Sequence, residues 1–235
     1  MKNFSITPIH TATLPAARNI LFVNGFLNEA YADFTDWLAS ESALDATSNV
    51  YGVQWPSKSM ADITQMMHSL MHRRWRALLA NPWHAAMQNA ESAGQALSDA
   101  LSQMTLPVTL VGHSLGCRVI YYALCASSQP VEDVILLGGA VGNQRKDWER
   151  AASVVDGRIY NCHSRHDDVL KYSYRTSMAW LSDPIGYVPI ETNHPKIANI
   201  DCSALITSHG DWKHHYGNIY DKLYKNYQNI ESLFT

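Results

Sequence analysis

One serine of the chain stands in a context that could make it a nucleophile. Ser114 lies between Gly112 and Gly116 in the pattern Gly-x-Ser-x-Gly, with His113 before it and Leu115 after it. The two glycines allow a sharp turn between a strand and a helix, and this turn exposes the serine hydroxyl. A serine is a weak nucleophile until a neighbouring base removes its proton. The pattern therefore predicts acyl transfer on Ser114, with a histidine and an acid supplied from elsewhere in the chain.

Two acids lie where such a site would need a carboxylate. The usual chain order in these sites is serine, acid and then histidine, and Asp167 and Asp168 follow a predicted late strand. A carboxylate here would hold the histidine in its working tautomer and stabilise the imidazolium ion. We favour Asp167 and expect Asp168 to cap the next helical turn or to face solvent, with the reverse assignment left open.

Three histidines near the C-terminus are candidates for the base. His209 lies in a loop-like segment, whereas His214 and His215 are expected on the last helix, where an exposed surface role is the simpler explanation. We favour His209 as the base. His215 is the alternative, which applies if that helix begins late, near Tyr216.

The negative charge that develops on the substrate oxygen needs fixed backbone donors. One donor is expected to be the amide of Leu115, directly after the nucleophile. The other should come from the turn after an early strand, where Asn24 and Gly25 lead to Phe26 and Leu27. We favour the Phe26 amide, with Leu27 as the alternative, and expect the Asn24 side chain to brace the turn.

Short apolar strands alternate with helical segments and would bring these residues together. The predicted strands are 20–23, 49–55, 107–111, 134–137, 157–162 and 197–202, and predicted helices include 29–44, 83–104 and 212–233. Such alternation predicts a mostly parallel sheet with helices on both faces, in which catalytic groups gather at the carboxyl ends of the strands. The sequence therefore predicts an α/β-hydrolase fold, formed by residues 1–235 as a single domain.

A methionine-rich segment, residues 56–82, is a candidate helical cap. A break at Asn81-Pro82 is predicted to separate it from the helix at 83–104. Methionine side chains adapt to irregular apolar surfaces, so the segment could cover an acyl pocket or touch a lipid surface. The alternative is that an amphipathic helix simply packs against the sheet.

Composition argues against several other functions. The chain carries 18 basic and 21 acidic side chains, for a net charge of −3, so no basic surface for nucleic acid is expected. The four cysteines lack the close pairs of a zinc site, and we expect reduced, buried thiols. A set of four residues near the C-terminus could alternatively form a metal site, although its spacing matches no recognised ligand pattern. This set is His209, Asp211, His214 and His215. We therefore expect no metal and no cofactor.

The sequence also carries an expectation about location and partners. Residues 1–6 lack the apolar stretch of a secretory signal, and no run approaches the roughly 18 apolar residues of a transmembrane helix. We therefore expect a cytoplasmic protein, with signal-independent export left open. The expected partners are small-molecule or lipid esters, and peripheral membrane contact is a further alternative.

Several segments together resemble one branch of the α/β-hydrolases, which is grouped as a domain of unknown function. This branch includes eukaryotic transmembrane-and-coiled-coil-domain proteins and a yeast mitochondrial relative regarded as a lipase. The similarity covers most of the chain from Asn19 onward. Its carriers are 23–27 with Trp37, 83–97, 110–121, 136–140, 157–167, 199–201 and 208–212.

The resemblance implies residue roles and a substrate class. It implies that the acid is Asp167 and that the histidine segment contains His209. The family pattern there is Gly-His-x-x-Tyr, from which Ser208 and Trp212 depart. It favours hydrolysis of lipid or carboxyl esters, and a binding protein that keeps the fold without catalysis is the alternative function. The membrane-spanning segments of the family are not found in this sequence, so its membrane location is not expected to carry over.

Overall fold

The computed structural model of the chain describes residues 4–25, 34, 37, 46–56, 80–174 and 182–231. In this part of the chain, seven strands form one sheet in the order β1-β3-β2-β4-β5-β6-β7. The strands are β1 Ser5–His10, β2 Arg18–Val23, β3 Ser48–Gln54, β4 Val108–His113, β5 Val134–Leu137, β6 Ile159–His163 and β7 Ile197–Asp201. Strand β1 runs antiparallel to β3, and all other neighbours are parallel.

The helices of the described residues cover both faces of this sheet. They are α1 Ala80–Leu101, α2 Leu115–Ala126, α3 Arg145–Ala152, α4 Asp211–His214 and α5 Tyr216–Glu231, together with a short π-helix at Leu170–Tyr174. The predicted interruption at Asn81-Pro82 stays a prediction, because both residues lie at the start of α1 and residues 57–79 before it lie outside the described residues. Proline is tolerated there because the first N–H groups of a helix have no partner within it.

All six predicted strands match observed strands to within two residues at each end, and one observed strand was not predicted. The sequence did not predict β1, whose residues are half-buried or exposed and include Pro8. An edge strand of this kind lacks the continuous apolar run that marks a buried parallel strand. The helix predicted at 29–44 and the candidate cap at 56–82 lie almost wholly outside the described residues.

Two apolar cores lie on opposite faces of the sheet. Along β2, Leu21 and Val23 face a core shared with α1 and α2. The alternate residues Ile20 and Phe22 face a second core, which also contains Trp212 and the apolar side of α5. Successive side chains of a strand point to opposite faces, so a strand buried on both faces must be apolar throughout. This requirement explains the apolar runs of the central strands.

Close packing of α1 against α2 fixes the helix that follows Ser114. A Cβ added at Gly94 of α1 would lie 2.5 Å from the Cβ of Tyr122 and 2.9 Å from the carbonyl oxygen of Val119. A larger residue at position 94 would therefore push α2 away. Strand β4 is the fourth of the seven strands, so the turn between β4 and α2 lies at the middle of the sheet.

Candidate active site

The turn between β4 and α2 holds Ser114 in an unusual backbone conformation. Its φ of 56° and ψ of −120° make Ser114 the single non-glycine residue of positive φ in the described ranges. Such conformations cost about 1–3 kcal/mol and persist where the surroundings enforce them. Here the Ser114 N–H donates to the carbonyl of Leu137 at 3.1 Å, and its own carbonyl accepts from the amides of Cys117 and Ala140 at 3.2 and 3.0 Å.

Glycines on both sides of Ser114 permit the close approach that this turn requires. A Cβ at Gly116 would lie 2.1 Å from the carbonyl oxygen of Val23, and one at Gly25 would lie 2.9 Å from the Cβ of Ser114. At Gly112 the added Cβ would lie 3.0 Å from the amide nitrogen of Cys117. These distances are shorter than carbon normally allows, so the ends of β2 and β4 and the start of α2 can meet only without side chains.

The structure brings Ser114, His209 and Asp167 into one chain of hydrogen bonds. His209 Nε2 lies 3.0 Å from Ser114 Oγ, and His209 Nδ1 lies 2.7 Å from Asp167 Oδ2. The Asp167 side chain is wholly buried, and its Oδ1 accepts from the amide of Leu170 at 3.1 Å. A carboxylate only accepts hydrogen bonds, so this geometry suits the tautomer in which Nδ1 donates to Asp167 and the lone pair of Nε2 faces the serine hydroxyl.

The competing candidates lie elsewhere. Asp168 is exposed, whereas Asp167 next to it is buried. His215 lies between α4 and α5, where its amide donates to the carbonyl of Asp211, and His214 is exposed. Across the residues that the structure describes, no group of three His, Cys, Asp or Glu side chains is arranged to hold a metal ion.

Asp211, which the metal alternative included, instead braces the segment that carries His209. Its Oδ2 accepts from the amide and the hydroxyl of Thr207 at 2.9 and 2.8 Å and from the amide of Ser208 at 2.8 Å. Its Oδ1 accepts from the Ser208 hydroxyl at 2.8 Å. These bonds, first those of Ser208 and then those of Thr207, lower the pKa of Asp211 to about 2. Ser208, which departs from the glycine of the family pattern, thus supplies two of the four hydrogen bonds that the Asp211 carboxylate accepts.

Trp212 is a residue of the site that the sequence reasoning missed. Its indole Nε1–H donates to Asp167 Oδ2 at 3.0 Å, and its side chain is wholly buried. Gly138 makes room for the ring, because a Cβ at this residue would lie 2.4 Å from Nε1. A buried tryptophan usually finds a partner for its N–H. The sequence did contain a signal for this contact, because Trp212 follows the candidate base by three residues and its N–H would need a partner if the ring were buried.

His113, directly before the nucleophile, lies against the candidate base. The ring centroids of His113 and His209 are 4.9 Å apart, and His113 Nε2 is buried with no hydrogen-bond partner among the residues that the structure describes. Burial, followed by the positive charges of His209 and Lys213, lowers the pKa of His113 well below its ordinary value. His113 is therefore neutral near pH 7 and adds no positive charge beside His209.

The candidate oxyanion donors are only partly within the described residues. Leu115 is wholly buried and is the first residue of α2, where N–H groups have no partner within the helix. Phe26 and Leu27 lie outside the described residues. The turn before them is anchored at Asn24, whose Oδ1 accepts from Trp37 Nε1 at 2.7 Å and whose carbonyl accepts from Trp55 Nε1 at 2.8 Å.

Comparison with protein families identifies the chain. Residues 68–225, well over half of the sequence, match the family described as "Protein of unknown function (DUF726)". The chain belongs to this family. An uncharacterized membrane protein of Schizosaccharomyces pombe is 31% identical over 247 residues, which cover 89% of this chain and 31% of the relative. The resemblance inferred from the sequence is confirmed.

Other relatives match over shorter parts of this chain. The probable lipase MIL1 of Saccharomyces cerevisiae is 34% identical over 144 residues, covering 58% of this chain and 13% of the relative. The transmembrane and coiled-coil domain-containing protein STS1 of Oryza sativa is 30% identical over 193 residues, covering 75% of this chain and 27% of the relative. The chain thus spans at most about a third of these relatives' own length.

Solved structures confirm the predicted α/β-hydrolase fold. MenH from S. aureus is similar over 99% of this chain and 100% of its own, with a TM-score of 0.51 and 12% identity. A predicted CIB-like hydrolase from Thermoplasma acidophilum is similar over 94% of this chain and 91% of its own, with a TM-score of 0.50 and 13% identity. At these identities the likeness concerns the fold alone.

The expected cytoplasmic location is wrong. The S. pombe relative and a second relative, from Caenorhabditis elegans, are both uncharacterized membrane proteins, and the rice relative is named as a transmembrane protein. The predicted location rested on the apolar runs of this chain alone, and these runs do not reflect the membrane character that the relatives' names state. Among the described residues, none of the helices is both long and apolar enough to cross a bilayer.

Proposed function

We propose that this DUF726 member is a serine hydrolase that cleaves carboxyl esters, including lipid acyl esters, through an acyl-enzyme on Ser114. The observation that carries the proposal is the hydrogen-bonded series from Ser114 Oγ through His209 to Asp167, with distances of 3.0 and 2.7 Å. A nucleophile, a base and a buried acid in this order are what activation of a serine hydroxyl requires.

In the proposed reaction, His209 Nε2 removes the proton from Ser114 Oγ as this oxygen attacks the ester carbonyl carbon. The ionised Asp167 stabilises the imidazolium ion that forms. His209 then returns the proton to the leaving alcohol as the carbon–oxygen bond breaks, which leaves the acyl group on Ser114. Water then attacks the acyl carbon with His209 again as the base. The bond from this carbon to Ser114 Oγ breaks, Oγ takes the proton back from His209, and the carboxylic acid departs.

The proposed oxyanion donors are the amides of Leu115 and Phe26. The Leu115 amide lies at the N-terminus of α2, where the helix dipole favours negative charge. Preorganised donors of this kind typically contribute a factor of about 10²–10³ in kcat each. The assignment of Phe26 rests on the sequence alone.

Lipid esters are proposed because a relative in Saccharomyces cerevisiae bears the name probable lipase. The proposal includes peripheral contact with a membrane, through which such an enzyme would reach its substrate. Residues 56–82 are proposed as the cap over the acyl chain, within a single domain of residues 1–235. An acyl-chain-length series of simple esters, with phospholipids and peptides as comparison, would define the substrate class.

A fluorophosphonate probe tests the nucleophile. We expect the wild-type chain to be labelled and the folded Ser114→Ala variant to be unlabelled, because only an activated serine reacts with this probe. A folded wild-type chain that is neither labelled nor active on any ester would instead support a binding protein without catalysis. Ester hydrolysis that survives Ser114→Ala and is abolished by a chelator would indicate a metal-dependent reaction.

The favoured histidine and its alternative provide a matched test of the base. We expect His209→Ala to lower kcat by several orders of magnitude, because it removes the group that accepts the serine proton. We expect His215→Ala to keep most of the activity, since this half-buried side chain lies between α4 and α5. The opposite pattern would transfer the role of base to His215.

A further inference from the structure

We propose that Trp212 is a positioning residue that tunes the basicity of His209 by sharing the carboxylate of Asp167. The indole does not touch the reacting atoms, so its influence must pass through the acid. The catalytic consequence of this inference rests on the proposed function, whereas the effect on His209 itself does not.

Within the described residues, the carboxylate of Asp167 receives three hydrogen bonds, and two of them converge on the same oxygen. Oδ2 accepts from His209 Nδ1 at 2.7 Å and from Trp212 Nε1 at 3.0 Å, while Oδ1 accepts from the Leu170 amide at 3.1 Å. Because the carboxylate is wholly buried, water does not supply further donors. The two side-chain donors therefore compete directly for the negative charge on Oδ2.

The indole is held so that it cannot turn away from this oxygen. Trp212 is wholly buried, and its five-membered ring lies against Gly138, which has a φ of +54°. Trp212 directly follows Asp211 in the chain. The carboxylate of Asp211 accepts hydrogen bonds from the amides of Thr207 and Ser208, which precede His209. The imidazole and the indole are thus fixed by one short segment.

The physical effect of the indole follows from what it stabilises. A neutral N–H donor favours the charged form of a buried carboxylate. The indole N–H stabilises part of the negative charge of Asp167, so this charge stabilises the imidazolium ion of His209 less. The imidazolium proton is therefore bound less tightly. This favours the neutral ring, which is the form that can accept the proton of Ser114. Removal of the indole N–H should raise the pKa of His209.

The test replaces the N–H group without changing the shape of the side chain. 3-Benzothienylalanine at position 212 substitutes sulfur for the indole N–H, and Trp212→Phe is a second variant made with a natural residue. The matched control is the same pair of changes at Trp148. This residue is also wholly buried and donates its N–H, to the carbonyl of Gly142 at 2.8 Å, but it lies in the core on the opposite face of the sheet.

Two readouts separate positioning from packing. The pKa of His209 is measured by NMR titration of the protein with ¹³C-labelled histidine, and the acidic limb of kcat/KM is measured for a soluble ester. We expect both midpoints to rise by roughly half a pH unit to one pH unit in the position-212 variants. At pH values below the midpoint, kcat/KM should fall about 3- to 10-fold. The position-148 variants should keep both midpoints.

Several results would overturn the inference. The first is an unchanged His209 midpoint in a folded position-212 variant, which would assign Trp212 to packing alone. An equal change in both pairs of variants would do the same. If the wild-type chain hydrolyses no ester, the proposed function fails, but the NMR titration still decides the role of Trp212. If Trp212→Phe does not fold, the sulfur analogue keeps the shape and supplies the answer.

Discussion

Asp167→Asn is the substitution for which the structure makes the sharpest prediction. The change keeps the shape of the side chain but replaces one acceptor oxygen by an NH₂ donor. With its oxygen toward His209 and Trp212, the amide would turn NH₂ toward the N–H of Leu170. With its oxygen toward Leu170, it would turn NH₂ toward the two side-chain donors. In either orientation a donor faces a donor inside a wholly buried site.

The structure supports estimates of two magnitudes. An unsatisfied buried polar group costs about 1–3 kcal/mol, so the free energy of unfolding should fall by this amount. The amide also carries no charge to stabilise the His209 imidazolium. When it donates to Nδ1, the proton of the ring moves to Nε2, which then cannot accept the proton of Ser114. The corresponding change in a serine protease triad lowers kcat by about 10⁴, and we expect a loss of about 10³–10⁴ here.

Ester hydrolysis, fluorophosphonate labelling and urea unfolding measure these effects. The matched control is Asp168→Asn, since Asp168 is the adjacent residue, carries the same charge and is exposed. This control should keep near wild-type kcat and unfold within about 0.5 kcal/mol of the wild-type chain. The reasoning is refuted if Asp167→Asn retains more than a tenth of wild-type kcat, or if Asp168→Asn loses as much activity.

Three further predictions concern the surroundings of the site. Gly116→Ala should lower Tm strongly and abolish labelling by the probe, because the added Cβ would lie 2.1 Å from a carbonyl oxygen of β2. The control Gly210→Ala should leave Tm nearly unchanged, because the nearest atom to its added Cβ is 3.8 Å away. Burial lowers the pKa of His113 below 6.5, so below that pH the unfolded chain binds a proton that the folded chain does not. Urea unfolding should therefore show stability falling as pH drops from 7 to 5, by up to about 1.4 kcal/mol per pH unit from this group, and His113→Gln should flatten that slope. Asp211→Asn should lower kcat/KM roughly 10-fold, because it weakens the bonds that hold the segment around His209; an unchanged value would show that this segment needs no such brace.

The arrangement of elements was largely predictable from the sequence because its signals are local. Buried parallel strands must be apolar throughout, so the runs at β2, β4 and β5 could be read directly. Strand β1 could not, because Ser5–His10 is half-buried or exposed and its pairing with β3 joins residues 40 to 49 positions apart. The cytoplasmic location was wrongly predicted for a different reason. Several relatives are named as membrane proteins, and the apolar runs of this chain do not reveal that property of the relatives.

The sequence by itself determined the candidate nucleophile, because Ser114 depends on a strand, a turn and a helix that are contiguous in the chain. It also limited the acid to Asp167 or Asp168 and the base to His209 or its alternative His215. Only the tertiary structure decided which member of each pair approaches Ser114. Consecutive side chains in a turn point in different directions, so Asp167 is buried while Asp168 is exposed. The contact between Trp212 and Asp167 spans 45 positions, and a long-range hydrogen bond of this kind leaves no trace in a local pattern.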